Sequence, residues 1–175
     1  TIEYLLQKVS VEAHTRIVDI GCGDGRFSRE LALAYPRSVV TGIDYSPRAI
    51  KLAAAMNPDV PNLEFSSVDI TTDTHLDAFD CAVLMEVFEH VPLDRADRFM
   101  AGVRALLKKD GVLLVTVPHV NKPVEYKHFQ HFTAESLTKY LEPYFRIVEV
   151  VPFEKISWKR WFISRLLSNR FFILR

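Results

Sequence analysis

The residues whose types and spacing most clearly suggest a chemical role are three glycines at alternate positions of the segment Val18–Gly25, whose sequence is VDIGCGDG. The preceding residues Arg16–Ile20 are apolar enough for a buried strand, and Arg26–Tyr35 have the pattern of a helix. Glycines at a strand-to-helix turn let the backbone turn sharply and approach a nucleotide-like ligand closely. The sequence therefore predicts a cofactor-binding loop at this point.

The spacing of the glycines and the acids around them narrow the choice of ligand. A dinucleotide-binding loop has its third glycine three residues after the second, which is position 26 here, and that residue is Arg26. Asp19 and Asp24 also place carboxylates beside the space that a pyrophosphate would fill, where a helix N-terminus otherwise favours an anion. The loop therefore favours a cationic ligand over a dinucleotide.

A second acid follows the next predicted strand. Ser38–Ile43 is rich in β-branched residues and leads into Asp44, which comes 23 residues after Gly21. A carboxylate at the end of the second strand can accept hydrogen bonds from both hydroxyls of a ribose. The alternative is an acid that caps the helix beginning near Pro47. At this distance from the glycine loop, the ribose role is favoured.

The acid-Gly-x-Gly-x-Gly pattern resembles the first motif of the class I methyltransferases, which use S-adenosylmethionine, a cofactor with a sulfonium and an ammonium group. Val68–Ile70 resembles the segment that holds the adenine amino group in that family. Phe79–Pro92 resembles the fourth-strand region of its ubiquinone- and glycan-type small-molecule branch. The resemblance implies that S-adenosylmethionine, and its product S-adenosylhomocysteine, contact Asp19, Gly21, Cys22, Gly23, Gly25, Asp44, Tyr45, Asp69, Ile70 and Glu86.

The predicted elements alternate between strand and helix along most of the chain. Such alternation indicates right-handed β-α-β crossovers and an α/β fold, a Rossmann-like three-layer sandwich with a mostly parallel sheet. The predicted elements are helix 2–9, strand 16–20, helix 26–35, strand 38–43, helix 47–56, strand 63–67, strand 79–85, helix 94–107, strand 111–117, helix 134–141 and strand 145–151. The resemblance implies seven strands, and we expect the last at Phe171–Leu174 or beyond the end of the chain.

Methyl transfer requires a nucleophile in line with the methyl-sulfur bond, so positioning supplies much of the acceleration. If the nucleophile is a hydroxyl, a base must remove its proton. The candidate bases are Glu89, His90, His119, His128 and His131. His90 is equally consistent with a histidine that packs after the fourth strand, whereas His119 follows Pro118 at the predicted cofactor end and is expected to face the acceptor.

Three of these candidate bases, together with Glu86, could also be ligands for a metal ion. Glu86, Glu89 and His90 share a face if the segment turns helically, and His128 would complete a set suited to Mn²⁺, Fe²⁺ or Zn²⁺ more than Mg²⁺. The set resembles the metal site of the small-RNA 3′-end 2′-O-methyltransferases, through the sequences EVFEH at 86–90 and HFQHFT at 128–133. Glu-x-x-Glu-His also occurs in metal-free relatives. We therefore expect no metal, with a metal-assisted RNA 2′-O-methyltransferase as the alternative.

Charge is unevenly distributed in this chain of 175 residues, although its formal net charge is zero. Six Lys or Arg residues and no acids follow Glu154, which leaves a net charge of −6 on the preceding part. An acidic body disfavours nucleic acid as a partner, because nucleic-acid affinity depends largely on cationic contacts. The two cysteines, Cys22 and Cys81, fit buried positions better than a disulfide or a metal site.

The basic C-terminal segment contains both tryptophans of the chain. We predict a methyltransferase domain at 1–153 and a basic aromatic helical segment at 154–175, in which Trp158, Phe162 and Leu166 form one apolar stripe. Such a segment suits an anionic membrane surface or a lipid-linked acceptor. The alternative is a lid or a dimer helix that packs on the body.

These observations leave three hypotheses for function. We favour transfer of a methyl group to a small-molecule, glycan or lipid-linked acceptor. The alternatives are the RNA enzyme and a non-catalytic cofactor-binding module. No run of about 18 apolar residues is present, and we expect a cytoplasmic domain, with 155–175 as a candidate for peripheral contact with the inner membrane surface.

Overall fold

The computed structural model describes residues 15–73, 78–120 and 128–152, together with the backbone of a strand at 171–174. The strands are β1 (Arg16–Ile20), β2 (Val39–Asp44), β3 (Leu63–Ser67), β4 (Phe79–Met85), β5 (Leu107–Pro118), β6 (Val150–Pro152) and β7 (Phe171–Leu174). The helices are α1 (Arg26–Ala34), α2 (Pro47–Met56), α3 (Ala96–Leu106) and α4 (Ala134–Leu141), with short 3-10 turns at Phe88–His90 and Leu93–Arg95. The predicted helix 2–9 lies outside the described residues.

All seven strands belong to one sheet, in the order β3-β2-β1-β4-β5-β7-β6. Strands β1 to β5 are parallel, whereas β7 is antiparallel to both β5 and β6. This topology confirms the predicted fold class. The chain moves outward from β1 to β3 and then crosses to β4 on the other side of β1, which creates a crevice at the carboxyl ends of β1 and β4.

Helices cover both faces of the sheet. Successive residues of a strand point to opposite faces, so neighbouring residues of β1 pack against different helices. Ile17 of β1 packs with the α1 residues Phe27 and Leu31 in one cluster of buried residues. Val18, next along the same strand, packs in a second cluster that includes α3 and α4 residues such as Met100. The two clusters are the two layers of core that the predicted three-layer sandwich requires.

Strand β5 begins four residues earlier than predicted. The segment from Lys108 to Gly111 has the local pattern of a turn, but the strand already pairs at Leu107 with Phe79, and the register then shifts before Val112 pairs with Cys81. Lys108 donates to the Asp80 carboxylate at 2.6 Å, and the Arg104 guanidinium donates to the Leu107 carbonyl at 3.0 Å. These contacts hold the segment in the sheet despite its turn-like composition.

The C-terminal part of the chain enters the sheet through β7. Phe171 pairs with Pro118 at the carboxyl end of β5, and Pro152 of β6 pairs with Phe172. Residues 171–174 of the predicted helical segment are therefore strand, in the place that we expected for the seventh strand. Residues 153–170 lie outside the described residues.

Candidate functional site

All three loop glycines adopt positive φ angles, of +71°, +56° and +77° for Gly21, Gly23 and Gly25, a region that other residues rarely enter. A Cβ on Gly21 would lie 2.6 Å from Val87, and one on Gly25 would lie 2.6 Å from Phe65. A Cβ on Gly23 would meet nothing within 4 Å. The outer glycines therefore serve packing, and the middle one presents bare backbone to open space.

Asp44 holds the glycine loop with its carboxylate. One oxygen accepts a hydrogen bond from the Gly23 backbone N–H at 3.1 Å, and the other accepts from the Ser46 N–H at 2.9 Å. The cap of α2 is Ser46, whose hydroxyl accepts from the Ala49 N–H. Asp44 is therefore not the capping acid, and its oxygens retain lone pairs for two ribose hydroxyls.

Asp19 is buried beneath the loop, with only 3% of its surface exposed. The Ser28 hydroxyl donates to this carboxylate at 2.6 Å. Burial nevertheless raises the pKa of Asp19 to about 7, and the neighbouring charge of Asp44 adds to the increase. A cationic ligand beside Asp19 would favour its ionised form, which agrees with the choice of a cationic cofactor.

We expect Asp19→Asn to stabilise the fold at neutral and basic pH. Because the pKa is raised from 3.8 to about 7, the folded state keeps a proton that the unfolded state loses, so stability falls as pH rises between these values. Asn does not ionise, so the free energy of unfolding of the variant should exceed that of the wild type by up to about 4 kcal/mol at pH 8. Denaturant unfolding of both proteins from pH 4 to pH 8 measures the difference, which should shrink towards pH 4.

The matched control is Asp59→Asn. A hydrogen bond from Arg29 lowers the pKa of this exposed carboxyl, so its stabilising effect is present above its ordinary pKa and lost as pH falls. The Asp59 variant should therefore become less stable than the wild type as pH rises towards neutral, whereas the Asp19 variant should become more stable than the wild type. A pH-independent effect of Asp19→Asn would contradict the account of its burial.

The other predicted cofactor residues follow the carboxyl ends of β1, β2, β3 and β4. Tyr45 is 80% exposed, Cys22 is buried, and Ile70 packs in the core. The backbone N–H of Val68 donates to the Asp44 carbonyl at 3.0 Å, which ties the Asp69 turn to the end of β2. Hydrogen bonds from Thr71 lower the pKa of Asp69. These positions agree with the implied cofactor contacts, which stay predictions.

Glu86 follows β4 with a φ of +54°, the one positive φ among the described residues other than glycine. Its backbone N–H donates to both the carbonyl and the hydroxyl oxygen of Thr116, at 3.0 and 3.2 Å. Strained backbone of this kind costs about 1–3 kcal/mol and clusters at functional sites. Since Val87 packs against Gly21, this turn joins the cofactor loop to the residues that follow it.

Those residues form a histidine-rich cluster. Glu89 is buried in the 3-10 turn and His90 is exposed. The His90 and His128 rings meet edge to face with centroids 4.7 Å apart. Nδ1 of His128 lies 2.7 Å from Nε2 of His131. The structure thus brings together the predicted bases Glu89, His90 and His128, and places His131 next to them.

His119 lies directly after β5, as the sequence predicts. It forms an isolated bridge with Phe132, in which the Phe132 N–H donates to the Pro118 carbonyl at 3.1 Å and the Val120 N–H donates to the Phe132 carbonyl at 3.0 Å. His119 is therefore fixed beside the segment that contains the other histidines, at the carboxyl edge of the sheet.

A family model for a methyltransferase domain matches residues 18–113, more than half of the chain and the part that contains the loop, Asp44 and Glu86. The chain belongs to this methyltransferase family. Its methyl donor is S-adenosylmethionine, and the prediction of a class I enzyme domain is confirmed. Both cysteines are buried, and neither forms a disulfide within the described residues.

Two relatives and one solved structure illustrate the similarity of this methyltransferase to known proteins. A ubiquinone biosynthesis O-methyltransferase from Actinobacillus pleuropneumoniae is 27% identical over 90% of the chain and 68% of that protein. A small RNA 2′-O-methyltransferase from Arabidopsis thaliana is 32% identical over 67% of the chain and 14% of that protein. The N-methyltransferase NodS from Bradyrhizobium japonicum, solved with S-adenosylhomocysteine, has a TM-score of 0.75 at 21% identity, covering 98% of this chain and 82% of NodS.

Three residues of the candidate site were not predicted from the sequence. Ser28 binds Asp19, Val87 packs on Gly21, and Thr116 holds the Glu86 turn. Each contact joins segments that are separate in the sequence, and the residue types are ordinary for a helix, a turn and a strand.

Within the described residues, no helix has both the length and the apolar character needed to cross a bilayer.

Proposed function

We propose that the chain transfers a methyl group from S-adenosylmethionine to a hydroxyl or amine of a small-molecule, glycan or lipid-linked acceptor. The observation that carries the proposal is the juxtaposition, through Val87 and Gly21, of an open glycine loop with acids and a cluster of bases. The name of the ubiquinone relative supports a small-molecule acceptor. The acidic body disfavours RNA.

The described residues fit the cofactor by chemistry. Asp44 would hold the ribose hydroxyls, the Gly23 backbone would allow close approach, and Asp19 would place negative charge beside the cationic end. S-adenosylmethionine supplies an electrophilic methyl group when it is bound. The turn after β4 borders both the loop and the bases, so an acceptor bound there would lie between the methyl donor and a base.

The histidine-rich cluster would remove the acceptor proton. Neutral His128 accepts a proton at a ring nitrogen, and the nearby Glu89 carboxylate stabilises the resulting imidazolium. The contact with His131 orients the His128 ring. Positioned proton transfer of this kind contributes a factor of about 10²–10⁴ in rate. His90 and His119 are the further candidate bases on the same edge of the sheet.

Transfer of labelled methyl groups tests this function. The chain is incubated with methyl-labelled S-adenosylmethionine and a cell extract that is separated into small-molecule, lipid, RNA and protein fractions. We expect label in the small-molecule or lipid fraction and none with Asp44→Ala. Label in RNA would support the RNA alternative, and tight cofactor binding without transfer would support the non-catalytic module.

We also propose that the C-terminal segment contacts an anionic membrane surface. Because Pro152 pairs with Phe172 and Phe171 with Pro118, β6 ends and β7 begins at the carboxyl edge of the sheet, where His119 follows β5. The segment 153–170 lies between these two strands in the sequence. That segment contains five cations and both tryptophans. A membrane surface at this edge would bring a lipid-linked acceptor to the proposed site.

Liposome sedimentation tests the membrane proposal. Replacing Lys155, Lys159 and Arg160 with Glu should weaken binding to anionic vesicles by at least about 100-fold, since each lost cation near such a surface contributes about 1 kcal/mol and each new carboxylate is repelled by it. The control has the same charge change at the exposed Arg37, Lys51 and Lys139 and should pellet like the wild type. Equal pelleting of all three proteins would refute the proposal.

A further inference from the structure

Asp19 is a buried carboxyl group that has no cationic partner within the described part of the chain. Only 3% of its surface is exposed. The groups that act on it are Ser28 and the carboxylate of Asp44. The thiol of Cys22, which also interacts with Asp19, stays neutral because burial raises its pKa to about 12. A buried charge without a partner is unfavourable, so Asp19 is suited to receive a cation from outside the protein.

Ser28 of α1 holds this carboxylate through two hydrogen bonds. Its hydroxyl donates to Oδ2 of Asp19 at 2.6 Å, and its backbone N–H donates to the same carboxylate. Ser28 is itself completely buried. Because the two oxygens of a carboxylate offer about four lone pairs, these two contacts orient the group and leave lone pairs for a ligand.

The neighbouring strand leaves room for the contact between Ser28 and Asp19. Gly42 of β2 is the register partner of Asp19 of β1. A Cβ on Gly42 would lie 2.9 Å from the Ser28 hydroxyl oxygen and 2.7 Å from the ring of Phe65, closer than the distance at which atoms of different side chains pack. The hydroxyl is therefore held between α1 and the sheet in a space that only glycine on β2 provides.

We infer that Ser28 is a positioning residue for the cofactor, because its hydroxyl holds the Asp19 carboxylate in the orientation and the ionised state that receive the ammonium group. The inference rests on the proposed function, in which Asp19 lies beside the cationic end of S-adenosylmethionine. Asp44 would hold the ribose at the other side of the loop. Ser28 thus acts through Asp19 on the amino-acid part of the ligand and not on its adenosine part.

Cofactor binding should then release a proton from Asp19. Burial raises the pKa of Asp19 to about 7, so about nine-tenths of the free protein has this group protonated at pH 6, and about one-tenth at pH 8. Only the ionised carboxylate pairs with an ammonium group, so the O–H bond of Asp19 breaks and the proton passes to the solvent. Because apparent affinity falls with the competent fraction of the protein, S-adenosylhomocysteine should bind about tenfold more weakly at pH 6 than at pH 8.

Calorimetry with two ligands tests the role of Ser28. S-adenosylhomocysteine has the ammonium group, whereas 5′-methylthioadenosine has the same adenosine part and lacks the amino acid. We expect Ser28→Ala to weaken S-adenosylhomocysteine binding by at least about tenfold at pH 7, the effect of one lost hydrogen bond to a charged group. Binding of 5′-methylthioadenosine should stay within about threefold. Asp44→Ala, in contrast, should weaken the binding of both ligands.

The matched control is Ser38→Ala, which also removes a buried hydroxyl, but just before β2, at the opposite end of that strand from Asp44. It should bind both ligands like the wild type. Asp19→Asn should abolish the dependence of S-adenosylhomocysteine affinity on pH. Equal weakening of both ligands by Ser28→Ala, wild-type affinity of that variant for both, or a wild-type affinity that is constant from pH 6 to pH 8 would overturn the inference.

A measurement without ligand separates this inference from the proposed function. NMR titration of the chain with ¹³C-labelled aspartate reports the pKa of Asp19, whose signal is assigned by its absence in Asp19→Asn. We expect a midpoint at least about one pH unit higher in Ser28→Ala than in the wild type, because the lost hydrogen bond favours the ionised form. An unchanged midpoint would overturn the inference. The expected midpoints without any S-adenosylhomocysteine binding would contradict the proposed function, on which the cofactor role of Ser28 depends, and establish its effect on Asp19.

Discussion

Replacing Asp44 with alanine is expected to weaken S-adenosylmethionine binding by at least about 100-fold. The carboxylate would accept hydrogen bonds from two ribose hydroxyls, and each such bond to a charged group contributes about 1.5–3 kcal/mol. The substitution also removes the contact from the Gly23 N–H, which holds the loop against β2. Isothermal titration calorimetry with S-adenosylhomocysteine measures the change in dissociation constant.

The control for Asp44 is Asp24→Ala, which makes the same charge change in an exposed residue of the glycine loop. The sequence places Asp24 beside the ligand together with Asp19, but its side chain is exposed, so solvent and salt screen its charge. It accepts one hydrogen bond, from the Arg26 N–H within its own turn, and a change in affinity of no more than about threefold is expected. Comparable losses in both variants would show that overall charge, and not a contact of Asp44, governs affinity. That result would remove the ribose assignment.

Replacing His128 with alanine should lower the rate of methyl transfer by about 10²–10⁴. The side chain lies in the cluster with Glu89 and His90, whereas the cofactor loop is reached through Val87, so cofactor affinity should stay within about threefold. The assay follows label from S-adenosylmethionine into the extract fraction that accepts it. A loss in rate with an unchanged dissociation constant would place His128 in the chemical step.

The neighbouring Gln130→Ala provides the comparison for His128. Gln130 lies in the same segment and makes one long hydrogen bond to Val91, so its loss tests whether disturbance of this segment is enough to slow the reaction. We expect the Gln130 variant to keep a rate within about threefold of wild type. Equal losses in the two variants would assign the effect to the segment and not to the imidazole.

The parts of the site that the sequence predicts are those set by local patterns. Glycines at alternate positions indicate a turn with positive φ angles, and all three adopt them. Asp44 is predicted from its place at the end of the second strand, and the parallel sheet then brings it to the loop. The fold class is also predictable, because the alternation of strand and helix patterns along the chain is visible in local sequence.

Contacts between distant segments could not be predicted in this way. The start of β5 at Leu107 depends on the ion pair of Lys108 with Asp80 and on the Arg104 hydrogen bonds, which override a turn-like sequence. The strained φ of Glu86 depends on its hydrogen bonds to Thr116. The convergence of Glu89, His90 and His128 likewise becomes visible only where two segments meet, and the expectation of no metal stays a prediction.

We expect the Val18–Gly25 loop and Asp44 to bind S-adenosylmethionine and not a dinucleotide. Calorimetric titration of the wild-type chain with S-adenosylhomocysteine, and separately with NAD, tests this most directly. We expect a dissociation constant on the order of micromolar for S-adenosylhomocysteine, which corresponds to a binding free energy of about −8 kcal/mol, and no measurable binding of NAD. Absence of S-adenosylhomocysteine binding, or equal binding of NAD, would contradict it.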